Sequence, residues 1–207
     1  MNIFHKIKFL LVITILLSTF PFASAAEKMT AAQLRDDMDR LWEDHITYTR
    51  NFIISFAGSL PDQDAVAARL MQNQVDIGNA IKAFYGEKAG NGLTALLKEH
   101  ISGAVEILKA AKANDKAATN AAVQKWQANA NQIATFLSNA NPKNWPLATM
   151  KTEMRKHLDL TLNEATHRLG GNYAQDIQDY DQVHHHILGL ADTLSEGIMK
   201  QFPEKFS

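Results

Sequence analysis

The sequence predicts an all-α protein: an up-and-down antiparallel bundle of about six helices in three helical hairpins, behind a signal peptide. Apolar residues recur at spacings of three and four over long stretches. Breaks between those stretches are short and rich in Gly, Pro and Asn, and no alternating β-branched run flanks a hairpin turn.

The chain opens with Lys6 and Lys8 and continues with an apolar run from Phe9 to Phe22. It then reaches the small-x-small triplet Ala23-Ser24-Ala25. These are the three parts of a secretory signal, with the cut expected before Ala26. The run is shorter than the roughly 20 apolar residues a spanning helix needs. Residues 1–25 are therefore expected to leave, and residues 26–207 to fold as one domain in the periplasm or outside the cell. No stable membrane anchor is expected after cleavage.

Thr30 is placed to cap helix A, which runs to about Phe56 and closes at Gly58-Ser59-Leu60-Pro61. Helix B spans about Asp62 to Phe84 and ends at Gly86. Helix C runs from about Gly92 to Ala113, with Gly90 and Gly92 at its start. Asn114-Asp115 separates it from helix D, about Lys116 to Ser138. Asn139-Ala140-Asn141-Pro142 stops helix D, and Pro146 suits the first turn of helix E. Helix E ends at Gly170-Gly171, and helix F covers about Tyr173 to Gln201.

The hairpins share a pattern. Helix A carries Leu41-Trp42-Glu43-Asp44-His45-Ile46, helix C carries Leu96-Leu97-Lys98-Glu99-His100-Ile101, and helix E carries Met154-Arg155-Lys156-His157-Leu158. Near-equal spacing of the three histidines suggests one hairpin unit used three times.

Each histidine falls on an apolar stripe. His45 is in line with Leu34, Met38, Leu41, Phe52 and Ile53, and His100 with Leu93, Leu97, Ile107 and Leu108. His157 is in line with Met150, Met154 and Leu160, and His184 with Ile177, Tyr180, Ile187 and Leu188. All four stand near mid-helix, so antiparallel helices bring them level. Imidazole ligates Zn, Cu, Fe and Ni, and bundle-core sites are built from facing helices. Nearby carboxylates that could complete such a set are Glu164, on the His157 face, and Asp181, three residues before His184. Asn73 and Asn129 lie on the inner faces of helices B and D at the same depth, which predicts a buried polar layer. His185 and His186 fall beside and behind the stripe, and His167 is near a helix end.

The chain has no cysteine, which removes disulfides, thiolate metal sites and cysteine nucleophiles. A formal net charge of −1 gives no general attraction to nucleic acid. There is no Gly-rich phosphate loop, nucleophile elbow or His-Glu-x-x-His.

Several segments resemble a group of exported bacterial helical-bundle proteins with no established activity. They are Leu41-Trp42-Glu43-Asp44-His45 with Thr49-Arg50, and Gln72-Asn73-Gln74-Val75-Asp76-Ile77-Gly78. Phe136-Leu137-Ser138-Asn139-Ala140-Asn141-Pro142 with Asn144-Trp145, and His157-Leu158-Asp159-Leu160-Thr161-Leu162, belong with them. The resemblance implies this helical layout over nearly the whole exported chain. Some proteins of the group carry enzyme names such as glycosyltransferase, but nothing in these residues makes a sugar-nucleotide site. The expected function is binding of one transition metal ion (Cu, Fe, Mn or Zn) by His45, His100, His157 and His184, with Asp181 and Glu164. The role would be storage, sequestration or a redox site. The competing expectation is a non-catalytic structural or interaction bundle with a metal-free polar core.

Overall fold

The computed structural model describes residues 28–207, and the expected signal peptide lies outside them. The described residues are all-helical: α1 Ala31–Gly58, α2 Gln63–Lys112, α3 Lys116–Ala140, α4 Leu147–Leu169 and α5 Tyr173–Gln201, followed by a short 3-10 turn, Pro203–Lys205. None of these helices is long and apolar enough to cross a membrane.

The helix starts follow the sequence closely. Thr30 accepts from the Gln33 amide while the Gln33 side chain accepts from the Thr30 amide, a complete capping box. Asp115 and Asn172 cap α3 and α5 through their side chains. Ser59, in the left-handed conformation, ends α1.

The expected helices B and C form one element, α2, broken at Gly86, whose φ of 82° and ψ of 170° are non-helical. The arms on either side of Gly86 fold back on each other. A Cβ placed on Gly78 would stand 2.7 Å from the Gly90 carbonyl oxygen, and one on Gly90 would stand 2.5 Å from that of Gly78. Gly90 is therefore not the start of a helix. It lies inside the second arm, where the absence of a side chain lets two backbones touch.

The elements close into a ring, α1 against α2, α2 against α3, α3 against α4, α4 against α5, and α5 back against α1. Neighbouring rods run antiparallel: Arg69–Asp44 with Asn73–Leu41, Lys125–Glu106 with Asn129–Leu96, and Arg168–Asp176 with Glu153–His186 pair rising positions on one rod with falling positions on the next. Leu34, Met38, Ile77, Leu97, Ile133, Met154, Ile187 and Leu190 face the axis in one apolar cluster. A second cluster, with Phe52, Ile53, Leu70, Ile101 and Leu108, fills the other end. Between α3 and α4 the connector docks on α5, where Trp145 donates to the Thr193 carbonyl at 3.2 Å and Asn141 to that of Gly197 at 2.8 Å.

Candidate functional site: a layer of imidazoles across the bundle

Halfway along the ring every rod places a polar side chain inside. These are His45 on α1, Asn73 and Gln74 on the first arm of α2, and His100 on its second arm. Asn129 on α3, His157 on α4 and His186 on α5 complete the layer, and all seven are buried. His157 is its hub. Its ring centre is 5.8 Å from that of His45, 5.8 Å from that of His100 and 6.3 Å from that of His186. Trp42 packs edge-on to His45, and Trp126 stacks on His100.

The layer is built from one bond made three times. Asn73 donates Nδ2–H to the Leu41 carbonyl at 2.9 Å, and Asn129 donates to the Leu96 carbonyl at 3.1 Å. His186 donates Nε2–H to the Glu153 carbonyl at 3.1 Å. Leu41, Leu96 and Glu153 each stand one helical turn before a layer histidine, so the second rod of every hairpin clamps the first at the same place. This is direct support for a repeated hairpin unit.

The clamps differ in what they offer the histidine. With the Asn129 amide oriented by Leu96, its Oδ1 faces His100 and accepts from Nδ1–H at 3.1 Å. That fixes the proton on Nδ1 and leaves the Nε2 lone pair free. In the first hairpin Gln74 Nε2 reaches three acceptors: the Leu70 carbonyl at 2.8 Å, Asn73 Oδ1 at 3.1 Å and His45 Nδ1 at 3.3 Å. Two hydrogens serve the three, and the His45 contact is the longest. In the third hairpin His186 has no carboxamide oxygen to give. His157 makes no side-chain hydrogen bond among the described residues, and its buried Nδ1 has no partner.

Burial sets the charge of the layer. It pushes the pKa of His45 down to about 4 and that of His100 to about 3, with the neighbouring His45 adding to the effect on His100. It holds His157 well below its usual range, helped by His45, His100 and His186. Three neutral imidazoles therefore meet here at neutral pH.

Not every expected site residue reaches the layer. His184 is half-buried on the outer side of α5, its Nε2 2.6 Å from Glu43 Oε2, and Asp181 is exposed. His186 takes the inward position instead. The phase expected for α5 is off because its first turns invert the usual polarity: Asp176 and Asp179 are buried while Ile177 is 54% exposed. Those carboxylates belong to a separate ionic cluster. Arg50 Nη1 bridges Glu164 and Asp176, Arg168 also reaches Asp176, and His167 Nδ1 lies 2.5 Å from Asp179 Oδ2. Glu164 is thus buried beside a guanidinium and stands apart from the imidazoles. Burial raises its pKa to about 7, partly offset by Arg50. Among the described residues, no group of three or more His, Asp or Glu stands in a geometry that could hold a metal ion as it is.

A small cavity of about 30 Å³ begins at the layer, with His45, His100 and His157 on its wall. It extends toward the Gly86 end of the bundle among Met38, Ile77, Ile81, Leu93, Ile133 and Leu190. Sequence reasoning missed the role of His186. The signal was present, since His186 stands as far beyond His157 as Asn129 stands beyond His100.

The chain matches no protein-family model, no curated protein and no solved structure.

Proposed function

We propose that this chain is an exported transition-metal-binding protein whose ligands are His45, His100 and His157, with Cu, Fe, Mn or Zn as the candidate ions. The observation that carries the reading is His157, a fully buried imidazole without a hydrogen-bond partner for Nδ1, in contact with three further imidazoles. Leaving a buried nitrogen unpaired costs about 1–3 kcal/mol, which a bound ion would return.

The chemistry of the donor set agrees. Neutral imidazole is the form that ligates, and burial keeps these three neutral. Asn129 acts on His100 as an orienting group that receives Nδ1–H and leaves Nε2 for the ion. Imidazoles sharing a tetrahedral or trigonal ion at about 2.0–2.1 Å have ring centres about 5.2 to 5.5 Å apart, so the two separations of 5.8 Å would have to close by a few tenths of an ångström on binding. Ligation requires a turn of the rings toward one point, and His157 has no bond to hold it back.

Three histidines leave a coordination position open, which favours a reactive or exchangeable site over closed storage. The signal-like segment 1–25 supports export, where a cysteine-free nitrogen site is stable to oxidation.

The test is elemental mass spectrometry on protein purified without an affinity tag and then exposed to copper, zinc, iron and manganese in turn. About one equivalent of one ion should survive gel filtration. It should be lost in His100→Ala and His157→Ala and kept in His184→Ala. No retained metal would leave the layer as a polar structural core, the competing reading. Loss in His184→Ala would return the site to the outer face of α5.

A further inference from the structure

We infer that the first turns of α5, residues 173–182, form a latch on α1 and α4 that one proton on Glu164 keeps shut. Attachment is the first argument. Ahead of Val183 the buried side chains of α5 are Asp176 and Asp179, while Tyr173 is 58% and Ile177 54% exposed. From Val183 onward the buried face carries Val183, Ile187, Leu190, Ala191 and Leu194. The body of the helix is thus held by apolar burial, and its beginning by ion pairs and hydrogen bonds. Segments with few buried apolar contacts are the ones that open locally.

Charge is the second argument. Three carboxyl groups, those of Glu164, Asp176 and Asp179, meet the two guanidiniums of Arg50 and Arg168. Asp176 takes both ends of Arg50 and is reached by Arg168 as well. Asp179 accepts from Gln175 Nε2 at 3.1 Å and lies against His167. Glu164 has only Oε1 in contact with Arg50, and its buried Oε2 has no partner. It is the surplus carboxyl of the set, and a proton settles it without a further cation. Burial accordingly raises its pKa to about 7, with Arg50 offsetting part of the effect. Among the described residues α2 and α3 bring no ion pair to this cluster. Lys112 donates to the Phe56 carbonyl, and their pairs lie at Arg69, Lys82 and Lys125.

Linkage is the third argument. When the segment lifts, water reaches Glu164 and returns it to ordinary carboxyl acidity, so each opening releases a proton. Between about pH 4.5 and 7 opening therefore becomes about ten-fold more favourable per pH unit, and above pH 7 it levels off. The imidazole layer responds in the opposite sense, gaining stability as pH rises to 6.5. The cluster shares no residue with the ligand set proposed above, and the latch works with or without an ion in the layer.

Amide hydrogen exchange of the purified protein, followed by NMR from pH 5 to 7.5 and corrected for the intrinsic pH dependence of exchange, tests the latch. Protection of amides 177–181 should fall at least ten-fold over that range, while amides 187–194 hold or gain protection. In Glu164→Gln, where no proton is released on opening, protection at 177–181 should change less than three-fold. His167→Gln, which removes the other titrating side chain of the cluster's α4 face, should keep the native fall. No fall in the native protein, or an equal fall along all of α5, would overturn the latch. So would a fall that persists in Glu164→Gln, or one that disappears in His167→Gln and so moves the trigger to the imidazole. If Glu164→Gln does not fold, the native protein and His167→Gln still decide.

Discussion

Two buried polar regions lie a few turns apart in one bundle and resolve the same difficulty in opposite ways. The imidazole layer gives up its charge: burial drives His45, His100 and His157 to the neutral form. The cluster around Arg50 keeps its guanidinium charges and pairs them, with Arg50 bridging Glu164 and Asp176 and Arg168 reaching the same Asp176, while burial lifts Glu164 toward the neutral form. The choice follows from the groups. An imidazole sheds its proton for little free energy because its ordinary pKa is near neutral, whereas a guanidinium does not deprotonate and must be paired. The consequence is functional. Neutral nitrogens retain lone pairs that an ion can use, while carboxylates already facing guanidinium do not offer a cation a favourable place.

Acid distinguishes the two regions most strongly. Below pH 6.5 the unfolded chain protonates its histidines while the folded chain resists down to about pH 4 at His45 and about pH 3 at His100. Stability is therefore fully present above pH 6.5 and falls as pH drops through that window. The slope is about 1.4 kcal/mol per pH unit for each imidazole held neutral. Glu164 has the opposite sign. Its pKa, raised to about 7 from 4.5, gives stability present below pH 4.5 and lost as pH rises through 7. Urea midpoints between pH 5 and 7 should rise with pH in the native protein, and more steeply in Glu164→Gln. A flat profile in both would mean that the layer is not neutral.

Removing the bridge is the next largest effect. Arg50→Met leaves Glu164 buried without its guanidinium and Asp176 with Arg168 alone, and should cost about 3–5 kcal/mol. Arg69→Met removes two pairs, with Asp44 and Asp76, whose members are each about one third exposed, and should cost no more than about 1–2 kcal/mol. Urea denaturation of both variants at pH 7 makes the comparison. Equal losses would show that the cluster escapes by protonating its carboxylates, as the layer escapes by deprotonation.

How far the sequence reveals these regions depends on polarity. Helix limits, caps and the inward placing of His45, His100 and His157 are legible because apolar residues surround each histidine at helical spacing. The α5 register is not, since Asp176 and Asp179 turn inward to meet Arg50 and His167 while Ile177 faces solvent. Periodicity assumes that charge faces outward, so one ionic cluster shifts its phase and points to His184 in place of His186. Gly86 and Gly90 are legible as breaks but not in their roles, because only the packed arms show which one turns the chain and which one lets backbones touch.

The smallest effect tests the repeated clamp most directly. If His186 holds the place that Asn73 and Asn129 hold in the other hairpins, an asparagine there should do both of their jobs. In His186→Asn the carboxamide N–H would replace the bond to the Glu153 carbonyl, and its oxygen would accept from His157 Nδ1–H, now without a partner. The lost ring contact and the gained hydrogen bond are each worth about 1 kcal/mol, so stability should stay within about 1 kcal/mol of native. His186→Ala, which loses the clamp and leaves a void, should cost about 2 kcal/mol or more. The imidazole NMR signals of His157 in the Asn variant should also report one tautomer, with the proton on Nδ1, as Asn129 imposes on His100. If Asn destabilises as much as Ala, the third hairpin is not a copy of the other two at this position, and the likeness of the three clamps lies in backbone geometry alone.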